Sequence, residues 1–234
     1  MSDFKLKTIA HIYNDFDGKF GIPRQSGIVE AVQSCIVFEP KFRREEALRG
    51  LEGFSHIWLI WQFSENGQAA GDDWSPTVRP PRLGGNQRVG VFASRSPFRP
   101  NPLGLSVVRL LDIQRDNELG SVLVVTGADL LSGTPIFDIK PYVPYCDSVA
   151  DARGGFAVPA DGHVLQVEVS DEQLSIVPPE KRAGLLAVLA QDPRPSYQND
   201  RERVYGMSFA GMNVRFRVGE GGLTVVSIEA AEVQ

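Results

Sequence analysis

Cysteine and histidine are scarce in this chain, and acidic charge is missing from one long stretch of it. Of 234 residues, two are cysteine (Cys35 and Cys146) and three are histidine (His11, His56 and His163). Two distant cysteines build no disulfide framework and point to a reducing, cytoplasmic compartment. With no C-x-x-C and scattered histidines, a zinc site would have to be assembled from distant residues, and no metal is expected. No G-x-G-x-x-G follows a strand, no G-x-x-x-x-G-K-S/T loop occurs, and there is no G-x-S-x-G elbow. The usual routes to Rossmann cofactor binding, P-loop phosphate binding and serine hydrolysis are therefore not visible. No apolar run approaches a membrane span, and the N-terminal MSDFKLKTIA lacks a signal-peptide core, so no membrane partner is expected.

Against these absences one feature stands out. Between Ser75 and Leu111 there is no aspartate, glutamate or lysine but six arginines: Arg79, Arg82, Arg88, Arg95, Arg99 and Arg109. The whole chain carries a formal charge of -5, so this stretch opposes the global sign. Arginine without lysine suits planar recognition of phosphate or carboxylate; the competing reading is a solvated cationic loop. The acidic total argues against a non-specific nucleic-acid coat but is compatible with a nucleic-acid enzyme that needs only a local basic footprint.

Gly and Pro punctuate short β-rich runs. Lys7–Tyr13, Gly27–Phe38, His56–Phe63, Arg88–Ala93, Leu105–Ile113, Ser121–Gly127 and Pro135–Val143 read as strands, and Glu45–Leu51 as a brief helix. Many short strands favour a β-barrel or sandwich. Around Pro144–Asp161 the texture turns polar and aperiodic, like a linker. Beyond it come a strand at Val164–Val169, a helix at Glu180–Gln191 and a hairpin at Asn213–Val218 and Leu223–Ile228. The expected fold class is mainly β: a β-barrel-like domain over residues 1–159, then a small α+β domain over 160–234.

Four segments combine residues that local structure alone would not choose. In Phe20–Gln25 (FGIPRQ), Pro23 sets a turn from which Arg24 and Gln25 project. Leu51–Phe63 is a core strand, with His56, Trp58 and Trp61 read as packing, but Gln62 at its end needs polar partners. In Arg88–Ser106, Pro97, Pro100 and Pro102 stiffen a loop that presents Ser94, Arg95, Ser96, Arg99 and Asn101. In Gly133–Tyr145, alternation places Ile136, Asp138, Lys140 and Tyr142 on one face. That face is either a catalytic or cofactor surface or an edge strand with a paired Asp138 and Lys140.

Taken in order, these segments resemble the TsaA/TrmO family of S-adenosylmethionine-dependent tRNA methyltransferases. The resemblance rests on Pro23-Arg24-Gln25, the run Gly50 to His56, Arg88 to Ser96 with Arg99 to Gly104, Asp138-Ile139-Lys140-Pro141-Tyr142, and Gln191 to Pro195 with Tyr205-Gly206. It implies a non-Rossmann β-barrel, a homodimer with cofactor near the interface, and N6-methylation of N6-threonylcarbamoyl-adenosine beside the anticodon of threonine tRNA. It places cofactor contacts at Pro23, Arg24, Gln25, Gln62, Phe63, Arg95, Leu105, Ile136, Phe137, Asp138 and Ile139. Asp138, oriented by Lys140 and Tyr142, is then the candidate to accept the substrate proton or fix the cofactor. Arg82, Arg99, Arg194 and Arg201 are expected in the tRNA footprint, with Asn101 on the same loop and Tyr197 available to stack on a base. Removing the C-terminal part is expected to weaken tRNA binding more than cofactor binding. A non-catalytic RNA-binding adaptor on the same fold is the alternative.

Overall fold

The computed structural model describes residues 5–63, 74–157, 164–194 and 200–231. In chain order the first strands are β1 (Ala10–Tyr13), β2 (Gln33–Phe38), β3 (His56–Gln62), β4 (Thr77–Val78), β5 (Val89–Gly90), β6 (Leu103–Asp116), β7 (Gly120–Thr126) and β8 (Thr134–Pro141). Six of them close into a barrel in the order β1-β2-β7-β6-β3-β8, every neighbour antiparallel. The cause is the period-two pattern. In β3, Ile57 and Leu59 are fully buried and Trp61 nearly so, while His56, Trp58, Ile60 and Gln62 face out. Ala10, Ile12, Ile36, Phe38, Val108, Leu123 and Val125 complete the interior from the other strands. A six-stranded barrel is narrow enough for side chains to fill it. Each fully buried Ile or Leu stabilises it by about 2 kcal/mol.

Two local features shape the wall. At Gly104 a Cβ would lie 2.2 Å from the Trp61 ring, so only glycine lets the indole lie against β6. In the β3–β8 pair, Ile60 faces Asp138 and Trp61 faces Ile136, leaving Phe137 unopposed as a β-bulge. This corrects the expected alternation: Ile136 is 0% exposed inside the barrel, and only beyond the bulge do Asp138 and Lys140 share the outer face.

β4 and β5 form a separate hairpin. The strand expected over Arg88–Ala93 stops at Gly90, because Val91–Ala93 winds into a 3-10 turn that Ser94 closes by donating its hydroxyl to Val91 O at 2.8 Å. Glu45–Leu51 likewise yields 3-10 turns at Glu45–Leu48 and Leu51–Gly53, broken by Gly50 at φ 88°, instead of one helix.

Beyond the barrel come α1 (Pro144–Asp147), β9 (Val167–Glu168), α2 (Asp171–Ile176), α3 (Pro179–Ala190), β10 (Tyr205–Phe209), β11 (Met212–Gly219) and β12 (Gly222–Ala230). The strands form one sheet, β10-β11-β12-β9, with β9 parallel to β12. The expected linker begins with α1, and α2 and β10 were not foreseen. α2 is capped by Ser170, whose hydroxyl accepts from Gln173 N–H at 3.2 Å. α3 starts at Pro179 and buries Leu185, Val188 and Leu189.

The second core is not built from the C-terminal segment alone. Phe16, Val29 and Val32, from the connection between β1 and β2, pack with Leu189, Phe209, Val214 and Phe216. Phe16 meets Phe209 edge-on at 6.1 Å, Lys181 Nζ reaches Asp15 at 2.7 Å, and Ala210 N–H donates to Asp15 O at 2.9 Å. Pro23, Arg24 and Gln25 lie on this shared connection.

Candidate active site

The outer face of β8, β3 and β6 carries two cross-strand rows. Asp138 lies opposite Ile60, which lies opposite Leu105; Lys140 lies opposite Trp58, which lies opposite Val107. Two strand spacings separate Asp138 from Leu105, about 10 Å between backbones. Lys140 Nζ sits 2.9 Å from Asp138 Oδ2, and Asp138 Oδ1 accepts from Ile139 N–H at 3.0 Å, so both oxygens are partnered. Tyr142 continues the segment. Its N–H donates to His56 O, and its ring packs on Trp58 at 5.9 Å and His56 at 6.3 Å. Trp58 Nε1 in turn donates to Asp147 Oδ2 at 3.0 Å. Hydrogen bonds from the Val143 backbone and from Trp58 hold the Asp147 carboxyl below the ordinary carboxylate value.

At the end of β3, Gln62 is half-buried opposite Leu103. Phe63 donates its N–H to Pro102 O at 3.0 Å, and its ring lies tilted against Trp61 with centroids 4.4 Å apart. The proline loop is thereby tied to the aromatic strand.

The arginine loop touches the first motif directly: the Arg95 guanidinium donates to Gln25 Oε1. Arg99 donates to Ser94 O at 3.1 Å, and Arg88 to Thr77 Oγ1 at 3.1 Å. These acceptors are neutral. Among the described arginines of the stretch only Arg109 meets a carboxylate, Glu30, at 3.8 Å. Among the described residues, then, Arg79, Arg88, Arg95 and Arg99 form no ion pair with a carboxylate, although the charge of Arg95 acts on Asp129. Asn101 is exposed on this loop, and the side chain of Arg82 lies outside the described residues.

The C-terminal candidates differ. Arg194 is bonded to Asp192 at 2.9 Å and largely covered, and Arg201 is bonded to Glu220 at 2.7 Å. The Arg194 carbonyl accepts from Arg24 at 3.1 Å, joining a cofactor candidate to a tRNA candidate. Tyr197 lies outside the described residues.

Sequence reasoning missed Asp129. Its Oδ1 accepts from Ser106 Oγ at 2.6 Å, and Ser106 Oγ accepts from Trp61 Nε1 at 3.0 Å. Burial pushes its carboxyl above the ordinary value, against hydrogen bonds from Ser106 and from backbone N–H groups, Ser26 among them, and the charge of Arg95. Gly27 N–H donates to Gly127 O at 2.8 Å, and a Cβ on Gly127 (φ 78°) would lie 3.2 Å from Gly27 Cα. The segment after Gln25 is thus pinned to the turn holding Asp129. A signal existed: Asp129 is the one acid in Ser121–Thr134, otherwise apolar or small.

Residues 11–148 match the tRNA-methyltransferase O N-terminal domain family, and residues 164–231 match the TrmO C-terminal domain family. The chain belongs to the TrmO family. Among TrmO-related proteins, a tRNA (adenine(37)-N6)-methyltransferase of Escherichia coli is 40% identical over 98% of this chain and 99% of its own length. A protein of the same name from Eikenella corrodens is 48% identical over 76% of this chain and 99% of its own length. A crystal structure of TrmO from Pseudomonas aeruginosa shares 33% identity at a TM-score of 0.76, covering 98% of this chain and 100% of that one. The TrmO N-terminal match contains Gln25, Arg95, Asp129 and Asp138; the C-terminal match contains Arg194 and Arg201. Among the described residues no helix is long and apolar enough to cross a membrane, and no cluster of His, Cys, Asp or Glu could hold a metal ion.

Proposed function

We propose that this protein transfers the methyl group of S-adenosylmethionine to N6 of N6-threonylcarbamoyl-adenosine, next to the anticodon of threonine tRNA, in the cytoplasm and as a homodimer. The observation that carries the reading is one assembly: an arginine loop fastened to Gln25 through Arg95 and running directly into β6, whose Leu105 shares a row with Asp138. The relatives' names support the tRNA adenine and the N6 position.

The donor set fits S-adenosylmethionine. Arg95 donates to the neutral Gln25 amide and lies near the Asp129 carboxyl without an ion pair between them, which leaves guanidinium donors for a ligand carboxylate. Asp138 offers negative charge to a cationic centre, and Phe63 and Phe137 offer apolar faces beside it. Pro23, Arg24, Gln25, Gln62, Leu105 and Ile139 complete the proposed binding surface. Ile136 contributes through its main chain, because its side chain fills the barrel. Leu103 and Leu105, on the same outer face and 37% and 55% exposed, supply apolar surface for a second subunit. Bound S-adenosylmethionine supplies an electrophilic methyl on a positively charged sulfur.

The protein's task is to hold the accepting nitrogen in line and exclude water. In the threonylcarbamoyl derivative that nitrogen belongs to a urea-like group, so its proton is more acidic than that of a plain exocyclic amine. Asp138 can receive this proton at Oδ2 once Lys140 moves aside; Lys140 and Tyr142 orient it. Arg99 and Arg82 take tRNA phosphate or the threonyl carboxylate. Arg194 and Arg201, already paired with carboxylates, contribute less, and Arg194 also holds Arg24 in place. Asn101 and Tyr197 belong to the same proposed footprint.

Mass spectrometry of anticodon-loop nucleosides from threonine tRNA, treated with protein and S-adenosylmethionine, tests the reaction; an unchanged modified adenosine refutes it. Asp138→Asn should retain cofactor affinity by calorimetry and lose about 100-fold in turnover if Asp138 accepts the proton. Lost affinity assigns it to cofactor binding instead, and unchanged turnover and affinity remove it from the site.

A further inference from the structure

The arginine loop also exposes aromatic surface that its own packing does not use. In the turn Val91–Ala93 the side chains divide: Val91 is 1% exposed, with its N–H bonded to Pro76 O at 2.9 Å, whereas Phe92 is 74% exposed. The Phe92 ring rests against Trp74, centroids 5.8 Å apart and planes inclined by 38°. A buried neighbour thus fixes the backbone while a backed aromatic ring faces outward.

The surrounding charge selects the partner. The β4–β5 ladder pairs Thr77 with Gly90 and Val78 with Val89, and the exposed Arg79 and Arg88 are the residues that directly follow and precede its last pair. Among the described residues neither is paired with a carboxylate, and Arg88 is braced by the Thr77 hydroxyl. An apolar protein surface settling here would bury these cations uncompensated. Single-stranded RNA brings a flat base for the ring and phosphates for the guanidiniums.

We propose that Phe92, backed by Trp74, is a stacking platform for an unpaired base of the RNA substrate, with Arg79 and Arg88 holding the adjoining phosphate. This rests on the tRNA reading above and adds the means by which the loop grips a strand beside the reacting nucleotide.

The probe is a threonine tRNA anticodon stem-loop, its affinity measured by fluorescence anisotropy at several salt concentrations. Phe92→Ala should weaken binding about ten-fold, and Phe92→Leu nearly as much, while Phe92→Trp restores it. Neither loss should change the salt dependence, whereas Arg88→Ala should lower the slope of log affinity against log salt by about 0.7–0.9. Calorimetry with S-adenosylmethionine checks that each variant keeps its cofactor site. Wild-type affinity in Phe92→Ala overturns the platform while leaving the tRNA reading standing. So does a Phe92→Leu variant that binds like wild type, since apolar area alone would then suffice. Loss of RNA binding together with dissociation of the oligomer in sedimentation also overturns it, assigning Phe92 to a subunit interface. If the wild-type protein fails to bind the stem-loop at all, the tRNA reading falls and the platform with it.

Discussion

Trp61, Ser106 and Asp129 form a hydrogen-bonded line from the barrel interior to the segment after Gln25. At its end lies the Asp129 carboxyl, whose pKa burial raises. Its folded value lies above the ordinary 3.8, so the folded chain binds a proton at pH values where the unfolded chain has released it. Stability from this group is full below that ordinary value and falls as pH rises through the folded one. Asp129→Asn lacks the titration. Its melting temperature relative to wild type should therefore climb as pH is raised from 3.8 through the folded value; thermal melts across pH read it, and parallel curves would show that Asp129 does not titrate as described. At this scale the sequence was informative where chemistry and position coincide, as with Gln25 and Arg95, which meet. For Asp129 it offered only a lone acid in an apolar stretch, because only folding brings Ser106 and Ser26 to that carboxyl.

At the scale of elements, the path of β6 past β3 depends on Gly104. A methyl group there would overlap the Trp61 ring at 2.2 Å, and the indole cannot turn away without giving up Ser106. Gly104→Ala should destabilise the protein by about 1–3 kcal/mol or more, read by urea unfolding, with Trp61 fluorescence shifted in the folded state. A change under about 0.5 kcal/mol would mean the ring repacks freely. The strand β3 was legible because its apolar residues alternate with period two. The bulge at Phe137 was not: whether one residue loops out depends on two neighbouring strands, and alternation in one strand carries no trace of it. Thus Ile136 was grouped with Asp138, although the barrel separates them. The turn at Val91–Ala93 escaped for a similar reason, since tertiary burial of Val91 outweighs local propensity.

Across the whole molecule, the C-terminal sheet and the barrel share the connection that carries Pro23, Arg24 and Gln25. Phe16, Val29 and Val32 lose their apolar partners if the C-terminal segment is removed, and Asp15 loses Lys181. A chain ending at residue 163 should accordingly bind S-adenosylmethionine at least ten-fold more weakly, not tRNA alone, with faster amide exchange over residues 14–32. Full cofactor affinity and unchanged exchange in that truncation would show that the connection is ordered by the barrel alone. This alters the expectation drawn from sequence, in which tRNA binding suffers most, because the shared core links both activities mechanically.

What the sequence by itself determined follows from periodicity and residue chemistry. Alternating apolar residues favoured a β-rich fold, prolines and glycines divided its strands, and an arginine stretch without acids suited an anionic partner. Only the tertiary structure decided which described guanidiniums meet a carboxylate, which carboxyl's pKa burial raises, and that residues 14–32, between two barrel strands, pack into the C-terminal core. Those properties depend on distances between segments far apart in the chain, and no local pattern encodes such a distance.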